Sequence, residues 1–203
     1  MRTHRNLALN LASVLALLVL LGNAQAHAAP KYAFPVSDCK VKYVRAHHDY
    51  PATDIQGAKG CKFVAVTSGV VDEVRAKDTY NYKKPTPETK GGIFVSIIGD
   101  DGVRYYGSHL QALADGISPG VRVEVGTLLG YLGDSGDAKG TKPHIHFGIS
   151  WPTEPKDIWW VRRGMIYPWK YLDAWKAGKD ASPANAVKKI LALKGEIPPM
   201  PKR

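Results

Sequence analysis

Two histidines stand two residues apart in Pro143-His144-Ile145-His146-Phe147-Gly148-Ile149-Ser150, a segment whose apolar positions alternate. A strand has a side-chain period of two and rises roughly 3.3 Å per residue, so His144 and His146 share one face about 6–7 Å apart. Ile145, Phe147 and Ile149 share the other face and can enter a core. One imidazole of such a pair can ligate a metal while its neighbour serves as an acid or base.

The remaining histidines extend the constellation. Of seven in the chain, His4 and His27 lie in or beside an N-terminal leader-like segment, and the others are His47, His48, His109, His144 and His146. Asp54 follows the adjacent pair in His47-His48-Asp49-Tyr50-Pro51-Ala52-Thr53-Asp54-Ile55, and His109 ends the strand-like run from Val103. Catalytic zinc sites commonly use three N or O ligands and leave one position open for water. Two histidines and one aspartate meet that requirement, with histidines to spare, so hydrolysis by metal-activated water is the chemistry these residues can do. No Gly-x-Ser-x-Gly turn or cysteine nucleophile competes with it.

The positioning elements are short strands. Phe63 to Val66 and Val70 to Val74 flank a turn at Ser68-Gly69, while Ile93 to Ile98 and Val103 to His109 flank Gly99-Asp100-Asp101-Gly102 and read as a hairpin. Val121 to Val125 and Leu128 to Leu132 follow, then a Gly-rich loop over 133–142 before His144. This spacing predicts a single antiparallel, mainly β domain with short C-terminal helices. Lys77 to Gly92 is a long polar insertion, read either as a binding loop or as a solvated excursion.

Beyond residue 150 the composition changes, for all five tryptophans lie there, at 151, 159, 160, 169 and 175. Pro168 to Ala177 with Gly178, and Ala184 to Leu193 between Ser182-Pro183 and Gly195, read as helices with their start and stop signals. The expected organisation is residues 1–26 as a signal peptide, 27–150 as the metal-bearing domain and 151–203 as a Trp-rich extension packed on it by its aromatics. Core packing is the expected role of Trp159 and Trp160, with carbohydrate stacking as the alternative, and the tail Pro198-Pro199-Met200-Pro201 is expected to be frayed.

Arg2 and Arg5, the charge-free run Leu7 to Leu21, and Ala24-Gln25-Ala26 have the composition of a secretory leader, with a second cleavage position after Ala28. Export to the periplasm or beyond is the expectation, with no stable membrane anchor after cleavage. The chain has two cysteines, Cys39 and Cys61, and in an oxidising compartment an even pair bridges. The formal net charge of +10 falls to about +8 without the leader, which implies an anionic partner. No basic stripe interleaved with aromatics marks a nucleic-acid fold, so an envelope polymer is expected and nucleic acid is not.

These residues resemble a known family, the lysostaphin-type (LytM-like) zinc metallopeptidases that cut peptide cross-links in bacterial peptidoglycan. The resemblance runs from about Tyr43 to Trp151 and rests on a His before Asp54-Ile55 and on the Gly60 to Val71 run with Ala65 and Gly69. Gly107-Ser108-His109-Leu110, the glycine-punctuated stretch Pro119 to Gly136, and Pro143-His144-Ile145-His146-Phe147 complete it. It implies a duplicated hybrid β motif around a substrate groove and a Zn2+ ion held by Asp54, His146 and a histidine at 47 or 48. His48 is preferred because it needs the smaller detour, since the commoner spacing would put that histidine where this chain has Tyr50. His144 is then the general base and His109 the donor to the developing oxyanion and the leaving amine, with Tyr50 and Tyr106 near the peptide. The alternative is a family member without catalysis, acting as a wall-binding module or an activator of other hydrolases.

Overall fold

The computed structural model describes residues 32–47, 50–154 and 157–201. The leader-like segment and His48 lie outside the described residues. Ten strands form one antiparallel sheet: β1 (Val36–Ser37), β2 (Lys42–Tyr43), β3 (Thr53–Gln56), β4 (Lys62–Val64), β5 (Gly69–Arg75), β6 (Ile93–Gly99), β7 (Arg104–Leu113), β8 (Arg122–Val123), β9 (Leu128–Leu132) and β10 (His144–Ser150). Three helices follow, α1 (Trp159–Arg162), α2 (Trp169–Lys176) and α3 (Ala184–Lys194). The mainly β reading and the two longer helices are therefore as expected from sequence. The four-residue α1 and the short strands β1 to β3 carry too little periodicity to be read that way.

Strand β7 organises the sheet. One of its edges pairs with β6 through the hairpin at Gly99 to Val103. Its other edge is shared end to end, with β10 along Arg104 to Ser108 and β9 along Leu110 to Leu113. The sheet parts at that change of partner, and β3 lies on the far side of β10. The core fills one face: Ile55, Leu110, Leu132, Ile145, Phe147 and Ile149 are fully buried in a single cluster that also takes in Trp151, Leu172 and Trp175. The post-150 helices thus complete the core of the strands, each buried apolar side chain contributing on the order of 1.5–3 kcal/mol.

The segment after α1 lies along β10. Met165 and Ile166 donate their backbone N–H groups to the Ile149 carbonyl, at 2.8 and 3.1 Å. Gly148 is required there, because a side chain on it would collide with the Arg163 carbonyl oxygen. Gly164, at φ 149°, likewise packs its Cα face on the Pro51 carbonyl.

Buried charge ties the same segment to the sheet. Arg104, fully buried on β7, bonds Asp72 through Nε at 2.7 Å, and Arg162 of α1 bonds Asp72 and Glu73 at 2.7 and 2.8 Å. Arg104 also donates to the Arg162 carbonyl. Pairing and hydrogen bonding of this kind offset the cost of burying the charges.

The expectation of a frayed tail is corrected. The Trp151 and Trp160 indole N–H groups donate to the carbonyls of Glu196 and Pro198, each at 2.9 Å, and anchor the tail as far as Pro198. Indole N–H groups seek an acceptor when half-buried, and proline-rich backbone offers carbonyls that no helix or strand consumes. Cys39 and Cys61 are bridged across 22 residues, closing the loop that leads from β1 past β3.

Candidate metal and catalytic site

The site is built on the face of β10 opposite Ile145 and Phe147. Register places Asp54 of β3 directly opposite His146 on one side and Ser108 of β7 opposite it on the other, while His144 faces Gln56. Paired residues project to the same face, so Asp54, His146 and Ser108 form one row, with His144 one repeat along. Ile145 and Phe147 take the opposite face and are fully buried.

His109 reaches this face by a different route. Simple alternation from Ser108 would send it into the core, yet Ser108 and His109 both line the groove and Leu110 is buried. The register against β6 slips between Gly107 and Leu110, and His109 has φ 62°. A bulge with a left-handed residue inserts one extra position and re-aims its side chain. The Gly91 carbonyl holds the His109 backbone N–H at 2.9 Å.

His47, Asp54 and His146 form a candidate metal set, with their ligand atoms all within 4.8 Å of one another. Asp54 Oδ1 lies 3.2 Å from His146 Nδ1, close to the separation of two ligands about 2.1 Å from a tetrahedral ion. Burial pushes the Asp54 carboxyl up, but its bond to His146 and the imidazoles of His146, His144 and His47 outweigh that and hold it at about 2. It is a carboxylate at neutral pH, as a ligand must be. Two imidazoles and one carboxylate are the donor set of a catalytic zinc site. The other edge of His146 is oriented by protein, for Nε2–H faces the Arg163 carbonyl at 3.2 Å, with the Tyr50 hydroxyl at 3.4 Å. This is the outer hydrogen bond that fixes a ligand's tautomer and leaves Nδ1 to the metal.

The two other histidines are also oriented by backbone. His109 Nδ1 lies 2.8 Å from the Ser135 carbonyl and His144 Nδ1 2.8 Å from the Lys142 carbonyl. A carbonyl only accepts, so both Nδ1 atoms carry hydrogen and both Nε2 atoms are left basic. Their rings are 4.9 Å apart. Burial, helped by His146 and His144, pulls His109 down to about 3, so at rest it is neutral.

These groups line one groove of 490 Å³ that also includes Tyr50, Lys90, Trp159 and Arg163. Lys90 and Gly91 belong to the long polar insertion, which therefore borders the site. It is pinned there by Asp78, which accepts the Gly136 N–H at 2.8 Å, and by the Tyr82 hydroxyl on the Gly136 carbonyl. Trp159, read from sequence as core, stands at the groove wall. Tyr106 is buried behind His146, its ring 6.2 Å away, and does not line the groove. Arg163 escaped sequence reading because its neighbours carry no motif.

A family model for peptidase family M23 matches residues 48–158. Among solved structures, the antimicrobial peptidase lysostaphin from Staphylococcus simulans is similar at 20% identity and TM-score 0.52, covering 75% of this chain and 58% of that one. Its catalytic domain alone is 22% identical with TM-score 0.49, over 66% of this chain and 92% of that one. A putative glycyl-glycine endopeptidase from Ruminococcus gnavus is 25% identical with TM-score 0.49, over 68% and 64%. No curated protein sequence matches. Among the described residues, no helix is long and apolar enough to cross a membrane.

Proposed function

The chain belongs to peptidase family M23, and from that premise we propose that it is an exported, zinc-dependent endopeptidase that hydrolyses peptide cross-links of bacterial peptidoglycan. The observation that carries this reading is the row Asp54–His146 completed by His47, flanked in the same groove by two histidines with free Nε2 atoms. We assign Zn2+ to His47, Asp54 and His146, and the catalytic roles to His144 and His109. The sequence preference for His48 falls on a residue outside the described ones, whereas His47 lies within the set.

When bound, such an ion supplies Lewis acidity, lowering the pKa of a coordinated water and polarising the scissile carbonyl. The chain's own residues do the rest. His144, fixed by Lys142, offers Nε2 to the proton of the attacking water. His109 starts neutral, so it first takes at Nε2 the proton that His144 has drawn from the attacking water, the two rings lying 4.9 Å apart. It then becomes a donor to the developing oxyanion and to the leaving amine, with Nδ1–H held on Ser135 throughout. The Arg163 carbonyl holds the His146 ring in one tautomer. Export rests on the leader-like residues 1–26 and on the disulfide, which suits an oxidising compartment.

Digesting purified peptidoglycan with the zinc-loaded protein and identifying released peptides by mass spectrometry tests the reading. Newly cut peptide bonds are expected, abolished in Asp54→Ala and His146→Ala together with bound zinc. Stoichiometric zinc with intact wall would favour the activator instead. In paired variants, His47→Ala should empty the site and His48→Ala should not.

A further inference from the structure

Arg163 is a charged residue that the metal chemistry does not use. It is 7% exposed and lines the groove beside His146 and Trp159. Its guanidinium carbon sits 5.0 Å over the Trp159 ring, and Nη2 donates to the Pro87 carbonyl. Those two contacts fix the plane of the guanidinium but supply no counter-charge. Among the described residues Arg163 has no ion pair, in contrast to Arg104 and Arg162 close by, which share Asp72 and Glu73. The acids that line the groove are engaged elsewhere, Asp54 with His146 and Asp137 with Lys90 at 3.7 Å. A buried guanidinium, oriented and without an anion, is complementary to a planar carboxylate that arrives with a ligand. The residue lies beyond the stretch matched by the family model, so this feature is carried by the C-terminal extension.

We propose that Arg163 is the specificity residue of the groove and binds a free carboxylate carried by the peptide substrate next to the bond that is cut. The inference rests on the endopeptidase reading and deepens it, because it selects acidic cross-linked peptides over neutral ones such as glycine bridges. Trp159 holds the guanidinium flat and forms the adjacent wall.

The test uses zinc-loaded protein and two synthetic branched peptides that differ only in a carboxylate or a carboxamide beside the scissile bond. Calorimetry of wild type should show roughly ten- to hundredfold tighter binding of the carboxylate peptide. Arg163→Gln should erase that difference at unchanged zinc content, and Arg163→Lys should restore part of it as a point charge. Equal binding of the two peptides by wild type overturns the proposal without need of any variant. So does a preference that survives in Arg163→Gln, which would assign the carboxylate to the metal. Hydrolysis, followed in parallel, separates the two claims. A binding preference without cleavage keeps the carboxylate site and removes the endopeptidase, and cleavage without preference does the reverse.

Discussion

The Arg163 carbonyl oxygen accepts from His146 Nε2 at 3.2 Å, so a residue of the C-terminal extension holds the ring of a candidate metal ligand. The contact exists because Gly148 and Gly164 have no side chains. Through Gly148 the segment closes on β10, and through Gly164 it closes on the Pro51 carbonyl, three residues before Asp54. The extension therefore buttresses both sides of the metal set.

Gly148→Ala should displace the Arg163 carbonyl and leave His146 free to rotate. Outer hydrogen-bond partners of this kind are worth roughly 10–100-fold in metal affinity. Zinc titration against a competing chelator should show that loss while Asp54, His47 and His146 remain in place. Unchanged affinity would mean that the ring is fixed by β10 alone.

The Asp72 cluster predicts a pH dependence. Burial pushes the Asp72 carboxyl up, but the charge and hydrogen bond of Arg104, with Arg162 and Ser96, more than offset it and hold it below the usual carboxylate range. A carboxyl lowered in the native state contributes stability that is complete above its unfolded value of about 3.9 and is lost as pH falls through the native one. The Tm gap between wild type and Asp72→Asn should be widest near pH 6 and narrow below about pH 4. Asp72→Ala, which leaves Glu73 to face two buried guanidinium groups, should cost up to about 3–5 kcal/mol at neutral pH. A gap that stays constant into acid would place the stabilising charge elsewhere.

The Cys39–Cys61 bridge closes a loop of 22 residues, which in the chain-entropy model is worth about 3 kcal/mol. Reduction should lower Tm by roughly 6–12 °C for a domain of this size. Thiol titration of denatured, unreduced protein should find no free sulfhydryl.

The sequence makes the His144–His146 face legible because strand alternation is a local rule and Ile145, Phe147 and Ile149 obey it. Asp54 is legible as a residue type, but its place opposite His146 depends on a pairing between strands ninety residues apart, which no local pattern encodes. The burial of Arg104 and Arg162 is not legible, since burial of an arginine is decided by acids elsewhere in the chain. Trp159 read as core because aromatic content predicts burial, while its position at the groove wall is set by α1 and the segment that follows. His109 is the clearest departure, since alternation would turn it inward and only the bulge brings it out.

That bulge lets chemistry and strain be separated at His109. Any L residue at φ 62° is strained by roughly 1–2 kcal/mol relative to glycine. His109→Gly should therefore be at least as stable as His109→Ala, with both retaining zinc, because His109 is not assigned to the metal. Both should lose roughly two to four orders of magnitude in peptidoglycan hydrolysis, as should His144→Ala. Ile145→Ala, on the buried face between the two groove histidines, supplies the opposite control. It should lower stability by about 2–5 kcal/mol through a core cavity and leave turnover per folded molecule nearly intact. If His109→Gly hydrolyses the wall at the wild-type rate, His109 serves the bulge and not the reaction, and His144 must carry the proton alone.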